Sequence, residues 1–278
     1  MNHPPPIFIT GLPRSGTTWS SHVIAATIKG RIIHEPFNWR RFPERETYHM
    51  RYMSAEKYDN EFANILRKTM LPRLPVPPFN RQPVIKDVHT CLALESITAI
   101  IKPLIVVIMR HPCAIAASWQ TLNLEAHTRL KLLLSQPQLV DSFLRPFLDH
   151  VNASHDFYSA IGTYWGAAYY IMHLMYSEHP EWFWITHETL CNEPVFYFEK
   201  LFNHLNIDLT LSRKRRLENF LIQHDKQGSN RDGIFAIKRI TDQEPYKWLN
   251  MLSHVQIDSV LSGARPFKLL EQFFPEYS

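Results

Sequence analysis

The sequence predicts a three-layer α/β/α fold built on a parallel sheet of about five strands, in one domain spanning residues 1–278. Three observations carry this. Short β-branched or aromatic runs begin at Ile7, Arg31, Pro83, Leu104 and Trp182, and helical patterns separate them. The run from Leu104 to Met109 is apolar without interruption, as a strand covered on both faces must be. The first run also leads through a glycine-bounded turn directly into a helix, which is the anatomy of a phosphate cradle.

That turn reads Gly11-Leu12-Pro13-Arg14-Ser15-Gly16-Thr17-Thr18-Trp19 and continues into an apolar helix through Ile28. Gly11 and Gly16 let the backbone turn tightly and approach a ligand, and the amides of Arg14 to Thr18 then lie at the positive end of the helix dipole. The Gly-x-x-x-x-Gly spacing agrees with a P-loop through its sixth residue, so the fold is expected to be P-loop NTPase-like. Where a nucleotide triphosphatase has Lys, however, this chain has Thr17. The cation sits inside the loop at Arg14, whose planar, permanent charge suits a tetrahedral oxyanion without magnesium.

The segment Pro13-Arg14-Ser15-Gly16-Thr17-Thr18-Trp19 resembles the 5′-phosphosulfate loop of sulfotransferases that use 3′-phosphoadenosine 5′-phosphosulfate (PAPS). The resemblance implies that Arg14, Ser15, Gly16, Thr17 and Thr18 hold the 5′ phosphate and the sulfuryl group, with Trp19 stacked on adenine.

Composition narrows the class. A chain of 278 residues, 45% hydrophobic and 20% charged, can bury a sizeable sheet. A formal charge of +4 fits attraction of a small polyanion, and no basic stripe argues for nucleic acid. Cys91, Cys113 and Cys191 are scattered, which excludes a disulfide framework and a Cys-x-x-Cys metal site. Neither a signal core nor the roughly 18 apolar residues of a membrane span is present. The expectation is a cytoplasmic enzyme with no metal.

Along the chain, Pro36 ends the second strand and leaves Glu35 at its tip, where the carboxyl ends of parallel strands line the ligand crevice. Glu-Pro here resembles carbohydrate sulfotransferases, which implies Glu35 as catalytic base; a solvated carboxylate or a helix cap is the plainer alternative. A helix is predicted around Ala55 to Thr69, then a Pro-rich connection to Pro83. Lys86 and His89 fall at the exit of the third strand. They resemble the Lys-x-His segment of cytosolic sulfotransferases, one residue longer here, where the Lys contacts the sulfuryl group and the His is the base.

Helix 92–101 is followed by the central strand and then Arg110-His111-Pro112, with the proline opening a helix. Ser118 lies roughly 9 Å along that helix at 1.5 Å per residue. An anion held by Arg110 and Ser118 is therefore expected away from the first cradle. The pair resembles the family's 3′-phosphate site, and a ligand with phosphates at both 5′ and 3′ ends needs two anion sites where ATP needs one.

The Leu-rich stretch 120–151, broken by Pro137 and Pro146, reads either as a mobile flap over the acceptor or as a surface insertion. A long helix over 156–176 has Trp165 and Tyr169 as core residues. The aromatic strand 182–188 ends in His187-Glu188-Thr189-Leu190, which resembles the family's Tyr-Glu-Asp-Leu, with His187 in place of the Tyr near the cofactor. A basic helix covers 212–224. Arg231, Lys238 and Arg239, ahead of Trp248, loosely match the family's basic loop over the 3′ phosphate.

Taken together, the resemblance implies transfer of a sulfuryl group from PAPS to an acceptor hydroxyl, leaving PAP. In that scheme Glu35 or His89 is the base, and Arg14 and Lys86 neutralise charge. A small-molecule kinase is the first alternative, but it needs a loop Lys where this chain has Thr17, and a metal carboxylate that the sequence does not supply. A non-catalytic PAP-binding module is the second.

Overall fold

The computed structural model describes residues 4–71, 81–226 and 244–277. Five strands, β1 (Ile7–Thr10), β2 (Arg31–His34), β3 (Pro83–Lys86), β4 (Leu104–Met109) and β5 (Phe183–Thr186), form one sheet in the order β2-β3-β1-β4-β5. Every pairing is parallel, with Ile9 opposite both Lys86 and Val106, and His34 opposite Lys86. The expected three-layer α/β/α arrangement is what the chain adopts.

Side chains alternate across a strand, and here the alternation divides the core in two. Phe8, Ile85, Ile105, Val107 and Met109 face one cluster with helices α2 (Asn60–Met70), α3 (Leu94–Ile101), α4 (Pro112–Thr121) and the long helix Phe157–Ser177. Ile7, Ile9, Val84, Val106 and Ile108 face the other, with helix α1 (Thr17–Ile28) and helices Pro194–His204 and Leu211–Lys226. The apolar run of β4 is buried on both faces because it occupies the inner sheet between these layers.

Several boundaries differ from the sequence expectation for identifiable reasons. α2 starts at Asn60, not near Ala55, because the Asp59 carboxylate accepts from the amides of Glu61 (2.7 Å) and Phe62 (3.2 Å) and caps it. β5 ends at Thr186, whose hydroxyl accepts from Thr189 N–H (3.2 Å), so His187 opens a helix, His187–Asn192, and does not lie in the strand. The Leu-rich stretch is packed: it forms α5 (Ala126–Leu134) and short turns that bury Leu130, Leu133, Leu139 and Leu144 in the larger core cluster. Gln136 ties it down, accepting from Tyr52 N–H (2.8 Å) and donating to the Met50 carbonyl (2.9 Å).

Candidate active site

Because the strands are parallel, their carboxyl ends share one edge, and each brings a residue singled out above: Glu35 after β2, Lys86 and His89 at β3, the glycine loop after β1, Arg110 after β4 and His187 after β5. β1 lies centrally, between β3 and β4, where an open parallel sheet forms its ligand crevice.

The loop has the conformation its glycines were expected to supply. Gly11 and Gly16 hold positive φ (148° and 89°), and a Cβ at Gly11 would run into the Ile108 carbonyl, one at Gly16 into the His187 ring. Arg14 also holds positive φ (77°), a conformation uncommon outside glycine. Gly16 is the cap of α1, which has no acidic residue in its first turn. The amides there are left for an anion.

Aromatic residues clamp the loop in place. Tyr169 Oη accepts from Leu12 N–H (3.1 Å) and donates to the Ile108 carbonyl (3.0 Å), and Trp119 Nε1 donates to the Pro13 carbonyl (3.2 Å). Trp165 Nε1 holds the Arg110 carbonyl at 2.8 Å. Tyr169 and Trp165, read from sequence as core, therefore also position the loop and Arg110. Nothing in their spacing announces this, since the partners lie far away in the chain.

The residues expected to form a second anion site lie against the glycine loop, where the sequence suggested separation along α4. Arg14 Nε donates to Ser118 Oγ at 2.9 Å, and Arg110 Nη1 donates to the Arg14 carbonyl at 3.0 Å. Burial and the adjacent Arg110 charge lower the Arg14 pKa. Arg110 Nε is buried with no hydrogen-bond partner among the described residues, so this guanidinium retains donor capacity for a ligand. Ser15 and Thr17 are buried within the loop, and Thr18 is half-buried.

Trp19, expected to stack on adenine, is 8% exposed and packs edge-on against Phe198 and His187, which anchors α1 to the core. His187 sits against Gly16, and burial together with the Arg110 charge holds its pKa well below the ordinary value, so it is neutral. Glu188 accepts from His111 N–H (3.0 Å), and burial pushes its carboxyl up to about 7. Trp248 stacks on His111 at 4.5 Å, next to Arg110. Arg231, Lys238 and Arg239 lie outside the described residues.

At the other end of the crevice Glu35 holds positive φ (45°) and donates its backbone N–H to the Lys86 carbonyl (2.7 Å). Its side chain, 12% exposed, bonds Lys86 Nζ through Oε1 and accepts from Asn38 Nδ2 (2.8 Å) through Oε2, with His89 Nε2 3.8 Å away. Burial pushes this carboxyl up, but His89 and the Lys86 ammonium outweigh it and hold Glu35 well below the usual carboxylate range. The alternative of a solvated loop carboxylate is thus excluded by its burial and pairing.

Asp87, which sequence reasoning passed over, fixes this corner. Its fully buried carboxylate accepts from the amides of Phe37 (2.9 Å), His89 (2.8 Å) and Thr90 (3.0 Å), joining the Glu35-Pro36 turn to the exit of β3. Among the described residues no group of three His, Cys, Asp or Glu could hold a metal ion, and no helix is long and apolar enough to cross a membrane.

Residues 4–232 match the family described as the sulfotransferase domain. The chain belongs to the sulfotransferase family. Among solved structures, this sulfotransferase is similar to the sulfotransferase domain from the curacin biosynthetic pathway, at 14% identity and TM-score 0.52, covering 98% of this chain and 99% of that one. That likeness supports the fold. A mouse sulfotransferase complexed with PAP (16% identity, 99% and 89% covered, TM-score 0.46) resembles it more loosely. So does retinol dehydratase in complex with androsterone and the inactive cofactor PAP (13%, 99% and 83%, TM-score 0.48). A comparison with curated proteins found no match.

Proposed function

We propose that this sulfotransferase moves the sulfuryl group of PAPS to the hydroxyl of a carbohydrate, glycolipid or other small alcohol, releasing PAP. The observation that carries the reading is the pairing of two features on one sheet edge: the Arg14–Ser118–Arg110 cluster beside the glycine loop, and the buried Glu35–Lys86 pair on neighbouring strand ends. The first suits a ligand with two phosphoryl-type ends. The second is a carboxylate kept ionised next to a fixed cation.

In the reaction the acceptor oxygen attacks sulfur in line. The new oxygen–sulfur bond forms as the bond from sulfur to the bridging oxygen breaks, the hydroxyl proton passes to Glu35, and the electron pair leaves on the 5′ phosphate of PAP. Arg14 and Lys86 neutralise charge on the sulfuryl and bridging oxygens, while the loop amides and Ser15, Thr17 and Thr18 hold the 5′ end. Arg110 and Ser118 hold the 3′ phosphate, assisted by Arg231, Lys238 and Arg239. Glu35-Pro36, as in carbohydrate sulfotransferases, supports a sugar-like acceptor.

PAP is expected to bind more tightly than AMP, because the 3′ phosphate gains charge-assisted hydrogen bonds worth about 1.5–3 kcal/mol, or roughly ten- to hundredfold in affinity. Titration calorimetry on Arg110→Ala should show that preference collapse. Equal affinities for PAP and AMP in the unaltered protein would overturn the reading. Turnover is also expected to persist in EDTA, since Arg14 and Lys86 supply the charge that magnesium gives a kinase; loss of activity restored by magnesium would favour the kinase alternative.

A further inference from the structure

Beside the Glu35–Lys86 pair runs a line of side chains that the transfer scheme leaves without a role. His89 Nδ1 lies 3.0 Å from His49 Nδ1, and the far nitrogen of His49, Nε2, meets Arg129 Nη1. At its near end, His89 Nε2 faces Glu35 Oε2 at 3.8 Å. Glu35, His49, His89 and Arg129 come from four separate segments: the end of β2, the turn before α2, the exit of β3, and α5. His49 is buried, and His89 is nearly so, its side chain 12% exposed. Beyond Glu35, Lys86 and Arg129, the groups facing this line include His34, whose Nε2 lies 3.7 Å from Glu35 Oε2, Asn38, which donates to that same oxygen, the Trp39 ring, 6.1 Å from that of His49, and Arg40.

The hydrogen-bond inventory fixes where the protons are. A guanidinium only donates, so His49 Nε2 must accept from Arg129, and the single proton of neutral His49 lies on Nδ1. That proton is donated to His89 Nδ1, which must therefore accept, and the single proton of neutral His89 lies on Nε2, facing Glu35. The opposite end is consistent with this: at 3.8 Å Glu35 Oε2 is beyond direct hydrogen-bond reach, but an ionised carboxylate only accepts and so favours an N–H over a lone pair on the Nε2 that faces it.

Extra protonation is blocked along the same line. A second proton on His49 would have to occupy Nε2, which Arg129 already fills, and burial, with the Arg129 and Arg40 charges nearby, holds the His49 pKa far below its ordinary value. A second proton on His89 would fall on Nδ1 and meet the N–H of His49.

We propose that Arg129 and His49 are positioning residues that lock His89 as its Nε2–H tautomer, so that His89 serves as a donor toward Glu35 and the acceptor's proton can go only to the carboxylate. The inference deepens the reading of Glu35 as base and rests on it for its functional consequence. Its structural content stands apart: a neutral His89 whose Nε2 already carries a proton has no lone pair there with which to act as a base.

The test is imidazole nitrogen NMR on the full chain, uniformly labelled with nitrogen-15, near neutral pH. The expected result is opposite tautomers, with His89 protonated at Nε2 and His49 at Nδ1. His89 protonated at Nδ1, or shifts averaged between both tautomers, would overturn the proposal. Arg129→Met, which removes the donor at similar length, should release the lock: the His89 shifts move to averaged values and kcat falls about tenfold while KM for PAPS is unchanged, because general-base assistance itself remains. Arg129→Lys, a donor that cannot accept, should restore the tautomer pattern. An unchanged pattern in Arg129→Met would also overturn the proposal. Normal turnover of Glu35→Gln with both tautomers in place would instead remove the base assignment and leave the donor chain standing.

Discussion

Glu35→Gln is expected to lower kcat by about 10²- to 10⁴-fold, the usual worth of general-base assistance, while PAP affinity stays nearly unchanged. The substitution keeps the shape and one acceptor oxygen, enough for either Lys86 or Asn38 but not both, and removes the basicity. Glu35 is suited to the role because its carboxylate stays ionised at neutral pH yet lies in a buried corner, where a proton transferred during sulfuryl transfer is shielded from water. Single-turnover kinetics with PAPS, alongside calorimetry with PAP, separates the two quantities. If Glu35→Gln turned over normally and His89→Asn abolished turnover with PAP binding intact, the base would be His89 and the assignment reversed.

Lys86→Met should be nearly as severe, and for two separable reasons. Transition-state charge on the sulfuryl and bridging oxygens loses a fixed cation, which lowers kcat by about 10²- to 10³-fold. The Glu35 carboxylate also loses its partner in a corner where the two side chains are only 12% and 5% exposed. Breaking such a pair costs about 3 to 5 kcal/mol of stability, the lower end applying here because Asn38 still donates to Glu35.

The pair also gives stability a definite pH dependence. In the folded chain the Glu35 carboxyl lies below its ordinary value of 4.5, so the unfolded chain takes up this proton first. The stabilisation is therefore fully present above about pH 4.5 and is lost as pH falls below it. Lys86→Met raises the folded-state value, so urea denaturation at pH 7 and pH 4 should show a smaller loss on acidification than in the unaltered chain. An equal loss in both would mean that Lys86 does not hold the carboxylate ionised.

What the sequence revealed and what it withheld divide along a physical line. The loop, the strand ends and the start of α4 were legible because each is local: glycines at positive φ, a proline at a helix start and an unbroken apolar run leave signatures within a few residues. The sheet order then brought Glu35, Lys86, the loop, Arg110 and His187 to one edge, as parallel topology requires. His49, Arg129, Asp87 and Tyr169 were not legible in these roles. Their function depends on partners 80 residues apart, as for Arg129 and His49, or 157 apart, as for Leu12 and Tyr169, and only the folded packing supplies those. The same applies to the contact between Arg14 and Ser118, 104 residues apart, which brings Ser118 against the glycine loop where helix geometry alone had suggested separation.

The most direct test of the account is the crystal structure of the chain with PAP. The account predicts the 5′ phosphate on the amides between Arg14 and Thr18, the 3′ phosphate against Arg110 and Ser118, and the Glu35 carboxylate and Lys86 ammonium facing the 5′ end. A structure with the 3′ phosphate away from Arg110 and Ser118, or with Glu35 and Lys86 remote from the 5′ phosphate, would contradict it.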